Sequence, residues 1–388
     1  MNVTKPDLFT RQFFFINGLF ILVYSNIAFF FLYPLYLESL GGSKALIGWA
    51  MGALPASTVI VRPLMPALIR KIGIHKTLQA GLITIFIASL GYHMVEKLSW
   101  TLFAVRILHG LGFSAFVAAS FTAVTYIIPG QRRAEAFGYI GAILLGCIAA
   151  APILGEQLIT GFGYPALFHS AAATAFFSMI LVVTIRQKKN SADDPKNHTG
   201  ILSVLYKKNL WLVLASTLIF VNANATLLTF VALFGKEQGF SGPVYYGKIA
   251  IIAILIRLFG AKLMDRHGKK RFAKYSFLLL GAGLILFTEA ASDLFYYGSI
   301  ILYGAGLGCL YPALNALAVD QADENERAAV MSLFTGVFDA GFMFGAVLSG
   351  TLADFFSLKT TFLVIGFSVF LGAFTITRSA LKEKVFSA

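Results

Sequence analysis

Twelve times along this chain an apolar run of about twenty residues is closed off by a short polar or glycine-containing break, and runs that long need lipid around them. They fall at about 12–34, 45–66, 77–95, 99–127, 134–160, 166–185, 209–234, 244–264, 272–291, 294–318, 328–352 and 359–378. In hydrocarbon every backbone N–H and C=O must be satisfied within the protein, so each run is expected to be a helix. Composition agrees: 58% of residues are hydrophobic and 13% charged, with mean hydropathy +0.78, whereas a soluble domain carries about 25% charged residues. The expected fold class is an all-α membrane protein of twelve transmembrane helices. The first run, Gln12 to Pro34, is too long for a signal-peptide core and lacks a small-residue cleavage site after it, so it is expected to remain as the first helix.

One break differs from the others. Residues 186–200 form the only polar stretch of their length, and they divide the chain into an N-terminal six-helix bundle (1–185), a cytoplasmic linker (186–208) and a C-terminal six-helix bundle (209–388). Residues 201–208 alternate apolar and basic, which suggests a short interfacial helix. The halves echo one another: Arg62 to Gly73 repeats as Arg257 to Gly268, since 257 − 62 and 268 − 73 both give 195. Gly141, Gly146 and Gly155 repeat at the same offset as Gly336, Gly341 and Gly350, and Arg132 as Arg327. Two pseudo-symmetric bundles of parallel topology are the layout of a transporter whose site lies between them.

The net charge of +13 is placed like a topology signal. With a cytoplasmic N-terminus, Lys5, Arg11, Arg70, Lys71, Lys76, Arg132, Arg133, the linker, the 266–274 loop and the tail from Arg378 all collect on one face. This positive-inside bias puts both termini in the cytoplasm of, most simply, a bacterial cell with the protein in its cytoplasmic (inner) membrane. Basic clusters in short juxtamembrane loops argue against nucleic acid and for lipid contact. Cys147 and Cys309 lie in apolar runs and read as packing residues, with no metal site. Glycine-rich phosphate loops, zinc-type His-Glu spacings and nucleophile–base pairs are missing; neither an enzyme nor a cofactor is expected, and a monomer is.

The stretch Leu263-Met-Asp265-Arg266-His-Gly268-Lys269-Lys270 is similar to the loop signature of the major facilitator superfamily, here between the eighth and ninth runs, with Ala261 where that family has glycine. The resemblance covers essentially the whole chain and implies that family's fold of two six-helix bundles. It assigns Asp265, Arg266 and Gly268, with Arg257, to gating, the bland reading being a positive-inside anchor. In the first-half copy, with Arg62, Pro66 replaces glycine and Arg70 the aspartate. Opposite it, Asp320, Asp323, Glu324 and Glu326 raise the expectation of a charge-swapped latch to Arg70, Lys71 and Lys76; two unrelated solvated loops is the other reading.

Leu102-Phe-Ala-Val-Arg106-Ile-Leu-His109-Gly110-Leu-Gly112 resembles the family's fourth-helix signature, which implies a proton-coupling role for Arg106; locking its helix to a neighbour is the alternative. A guanidinium inside an apolar helix needs a wet cavity or a partner. His109, one turn on, either titrates beside it or packs. In the fifth run Gly138, Pro152 and Gly155 match the family's antiporter signature in part, Glu156 replacing its final glycine, and Gly146, Pro152 and Gly155 are expected to let helices approach closely. Asp339, near the middle of the eleventh run, is the proton-carrier candidate, with a structural bond to a neighbour as the alternative. Asn26, Asn222, Asn224, Tyr126 and Tyr311 are candidate substrate contacts; the asparagines could equally be interhelical glue. Phe13 to Phe15 and Phe29 to Phe31 read as lipid-facing bulk.

Together these readings describe a proton-coupled secondary transporter exporting a small organic molecule, a drug or a metabolite, by alternating access, the coupling ion being a proton. A proton-coupled importer of a small polar solute is the first alternative; a lipid flippase or a membrane sensor is the next.

Overall fold

The computed structural model describes residues 8–129, 132–185, 204 and 206–378, with backbone only for 134, 259–263, 265–267, 324 and 328. All regular structure among the described residues is helical. Each apolar run is a helix: α1 (Arg11–Phe29) continuing into α2 (Tyr33–Ser39), α3 (Lys44–Val61) into α4 (Met65–Ile72), then α5 (Ile74–Gly91), α6 (Trp100–Ile127), α7 (Arg133–Phe162) and α8 (Tyr164–Val182). After the linker come α9 (Lys208–Gln238), α10 (Gly242–His267), α11 (Lys269–Phe287), α12 (Asp293–Asp320), α13 (Arg327–Phe355) and α14 (Leu358–Arg378). Ten spans among the described residues are long and apolar enough to cross a membrane. The linker and the proposed interfacial helix over 201–208 lie almost wholly outside the described residues.

Local chemistry sets the ends and the kinks. Thr10 caps α1 by accepting the Phe13 N–H, and Ser241 caps α10 by accepting that of Val244, each satisfying a donor the helix leaves over. Pro34 has no N–H to give residue 30 and crowds its carbonyl, and the chain tightens to a 3-10 turn at Phe30–Leu32. Pro63 and Pro66 do the same at Arg62–Leu64. Gly73 and Gly268, repeat mates, each form the whole connection between two helices at φ 88° and 86°, a region that a side chain strongly disfavours.

By packing, Met1–Gly41 with Ala53–Ser191 forms one unit, and Gly42–Gly52 with Ala192–Ala388 the other. The first turns of α3 therefore belong to the second unit. There Gly48 meets Gly350, the Lys44 N–H bonds the Asp354 carboxylate at 3.0 Å, and Lys44 Nζ lies 3.4 Å from Glu237.

The duplication is visible in how glycines are used. On α6, Gly110 lies against Leu54 and Ser57 of α3, and Gly112 against Gly81 and Ile85 of α5. On α12, Gly304 lies against Ile249 and Ile252 of α10, and Gly306 against Ser276 and Leu280 of α11. Leu54 and Ser57 map to Ile249 and Ile252 at the offset of 195, but Gly110 and Gly112 map to Gly304 and Gly306 at 194. One residue has been lost between them, which hides this correspondence from a search at a single offset.

Outward faces carry lipid-type stripes. Val364, Phe367, Leu371 and Phe374 share one exposed face of α14, while Phe362, Ile365, Val369 and Ala373 are buried. The phenylalanine triplets do not all face lipid as expected. Phe14 is exposed, but Phe13, Phe29 and Phe30 are buried, because successive helical residues turn about 100° and three in a row cannot share a face.

Candidate functional site

In the first unit the buried polar groups converge on Tyr92. Arg106 on α6 is 3% exposed; its guanidinium donates to the Tyr92 hydroxyl over a long 3.4 Å, and its charge lies 5.9 Å from the Tyr33 ring centroid. The Tyr92 hydroxyl also lies 3.1 Å from Nδ1 of His109. The Nε2 of His109 has no hydrogen-bond partner. Phe30 stacks on Tyr92 at 4.0 Å and stands edge-on to His109. Arg106 and His109 are thus brought together inside an aromatic box. No sequence spacing pointed to Tyr92, Tyr33 or Phe30, which lie on other helical segments.

Asn26, a candidate substrate contact, is fully buried. Its amide donates to Ser89 Oγ at 3.0 Å and to the Ala171 carbonyl at 2.6 Å, tying α1 to α5 and α8 as interhelical glue. Tyr126 is half-buried near the end of α6. Gly155 packs against Phe29, Leu32 and Leu167, whereas a Cβ on Gly146 would meet nothing within 4 Å, so the expected close approach at Gly146 is replaced by open space. Pro152 lies inside α7 without ending it. Arg62 is half-buried and Arg70 exposed.

In the second unit Asn224 is buried on α9, with its Oδ1 accepting from the Tyr303 hydroxyl at 3.4 Å and Tyr246 close by. Asn222 is half-buried, and its backbone touches Gly345 of α13. Tyr311 packs edge-on against Phe334 and Phe338 of α13; Asp339, half-buried, follows Phe338 directly. Arg257 lies inside α10, within electrostatic reach of Tyr246, Cys309 and Tyr311. The side chains of Asp265 and Arg266 lie outside the described residues.

Beyond Gly268 the acids of the expected latch have partners close by. Lys269 pairs with Asp320 at 2.7 Å, the two side chains being 13% and 6% exposed, and Lys207 pairs with Glu326 and, at 3.4 Å, Asp323. Asp323 and Glu326 also form a capping box leading into α13. Three of the acids expected to meet Arg70, Lys71 and Lys76, namely Asp320, Asp323 and Glu326, thus have partners within the second unit. The turn at Gly268 sets Lys269 at the start of α11, where it reaches the end of α12.

These features define a helical membrane protein of two related six-helix units with buried polar clusters in each. The chain belongs to the Major Facilitator Superfamily, whose model matches residues 13–272 and 249–386; it is a multi-pass integral membrane protein of a family of transporters that act on small molecules. It is 24% identical over 353 residues to the Staphylopine export protein of Staphylococcus aureus, covering 87% of each chain. It is likewise 24% identical to an uncharacterised MFS-type transporter of Salmonella typhimurium, over 88% of this chain and 89% of that one. Among solved structures, the nucleoside transporter NupG matches at TM-score 0.76 and 14% identity, over 95% of this chain and 98% of its own. The human organic anion transporter MFSD10 matches at 0.69 and 14%, over 95% and 100%. At such identity these two structures speak for the fold alone.

Proposed function

We propose that this protein is a non-enzymatic secondary transporter that exports a small organic molecule in exchange for protons, the two six-helix units exposing one site alternately to either side of the membrane. The observation that carries the direction is the likeness to a staphylopine exporter along 87% of both chains. In this reading Asp339 carries the proton, and Arg106 with His109 supports the coupling. Asn222, Asn224, Tyr126 and Tyr311 contact substrate, while Arg62, Arg70, Asp265, Arg266 and Gly268 act at the gates. Asn26 serves the same cycle by holding α1 to α5 and α8. A half-buried carboxyl on a membrane helix suits proton carriage, because its charged form is costly on one side of the cycle and solvated on the other.

Everted vesicles with an acid lumen test this, with staphylopine as the first probe and small metabolites after it. An exporter drains protons from the lumen when its substrate is added. Asp339→Asn is expected to abolish uphill transport and to spare substrate exchange; undiminished uphill transport in that variant removes Asp339 from the mechanism. Proton-driven accumulation of a labelled solute in whole cells would replace export by import.

A further inference from the structure

We propose that Tyr92 is a positioning residue for the coupling pair Arg106 and His109, and that the three are kept for function at a helix crossing the fold can close without charge. The proposal rests on the exporter reading above and deepens it. Tyr92 opens the 3-10 turn that follows α5 and is fully buried. Its hydroxyl meets both partners, accepting from Arg106 at 3.4 Å and lying 3.1 Å from Nδ1 of His109. Arg106 and His109 share one face of α6, so a single atom between them fixes the pose of each. The phenol is itself held: Phe30 stacks on it at 4.0 Å, and the rings of Tyr33 and Phe168 lie 5.1 and 5.9 Å away. Two polar atoms of the cluster, the Tyr33 hydroxyl and His109 Nε2, are buried without a hydrogen bond. As a device for stability, such a cluster is a poor one.

The second unit builds the same crossing from other chemistry. Gly112 meets Gly81 and Ile85, and Gly306 meets Ser276 and Leu280, so α5 and α11 correspond at 195 while α6 and α12 correspond at 194. On that correspondence Phe287 stands at the place of Tyr92, Ile300 at that of Arg106 and Tyr303 at that of His109. All three are buried. Phe287 packs on Phe234, Tyr245 and Phe362, and the hydrogen bonds nearby are between neutral groups, Tyr245 with Ser299 and Tyr303 with Asn224. The half-buried Arg257 of this unit lies on α10 instead, bordering a cavity with Met264, Phe272 and Cys309. One copy of the crossing thus packs without charge, and the other holds a phenol, a guanidinium and an imidazole. Apolar groups of similar volume often replace a buried polar set at no loss, or at a gain, in stability. The Tyr92 set therefore answers to a demand other than holding helices together.

Two variants of the full chain test this. A neutral set, Tyr92→Phe with Arg106→Met and His109→Leu, is expected to melt in detergent no lower than the native chain and to move no protons in everted vesicles given staphylopine. A lower Tm, or failure to fold, would make the set structural and overturn the proposal. Tyr92→Phe alone removes only the hydroxyl. It should cut proton flux at least about tenfold and move the pH of half-maximal flux, whereas in a His109→Gln background it should move that pH no further. An unchanged pH profile, or the same shift with His109 absent, would overturn the positioning role. Histidine nitrogen NMR of the purified chain needs no substrate: the signal lost in His109→Gln should titrate differently in Tyr92→Phe. If that signal responds while the native chain moves no protons for staphylopine or any other probe, the exporter reading falls and the Tyr92–His109 link stands. If flux is present and the signal is unmoved, the link falls.

Discussion

A glycine can be required for two different reasons here, and substitutions tell them apart. Gly73 has open space around it but sits at φ 88° and ψ 158°, so the strain of a side chain there comes from the backbone. Gly73→Ala is expected to cost about 1–3 kcal/mol. Gly146, helical and equally open, should tolerate alanine or gain about 0.5–1 kcal/mol from helix propensity. Denaturation of both variants in one detergent checks the contrast, and equal effects would refute it. The arginines divide in a similar way. Both could be singled out from sequence, but Arg106 turned out to lie against Tyr92 and Tyr33 on other segments. Arg257 has Ala253, Ile254, Gly260 and Ala261 three and four residues away. With no acid on its own helix face, it needed a partner from elsewhere.

At the scale of elements, the connection between α12 and α13 shows how a surface cluster becomes local architecture. Asp320 is taken by Lys269, and Glu326 both caps α13 and holds Lys207. The hydrogen bond to Glu326 is the main cause that raises the Lys207 pKa above its ordinary 10.5. A raised lysine pKa contributes stability that is fully present below 10.5 and is lost as pH rises through the higher folded value. The stability gap between the native chain and Lys207→Met should thus stay level, at about 0.5–1 kcal/mol, from neutral pH to about 10, and close at more alkaline pH. Paired thermal melts across that range measure it; a gap that widens with pH would contradict the assignment. Helix positions were legible because lipid demands long apolar runs. The partners of Asp320 were not, since opposite charges in loops can pair in several ways and only the turn at Gly268 selects Lys269.

For the whole molecule, the charge distribution predicts that both termini face the cytoplasm. Reporter fusions active only in the cytoplasm should work at either end, and a periplasm-only reporter at neither; a split result would mean an odd number of crossings. The twelve apolar runs, their grouping about one polar linker and the repeat near 195 residues were all readable from the chain, because bilayer thickness, backbone hydrogen bonding and charge asymmetry act on sequence locally. Those same rules determined the helical class and the duplication. Only the tertiary structure decided that the start of α3 packs with the second unit, that the Asn26 amide bonds α5 and α8, and that the glycine contacts of α6 and α12 correspond at 194. It alone showed Arg106 enclosed while Arg257 borders a cavity. Those outcomes depend on which side chains from distant helices meet, and the period of a single helix does not encode its neighbours.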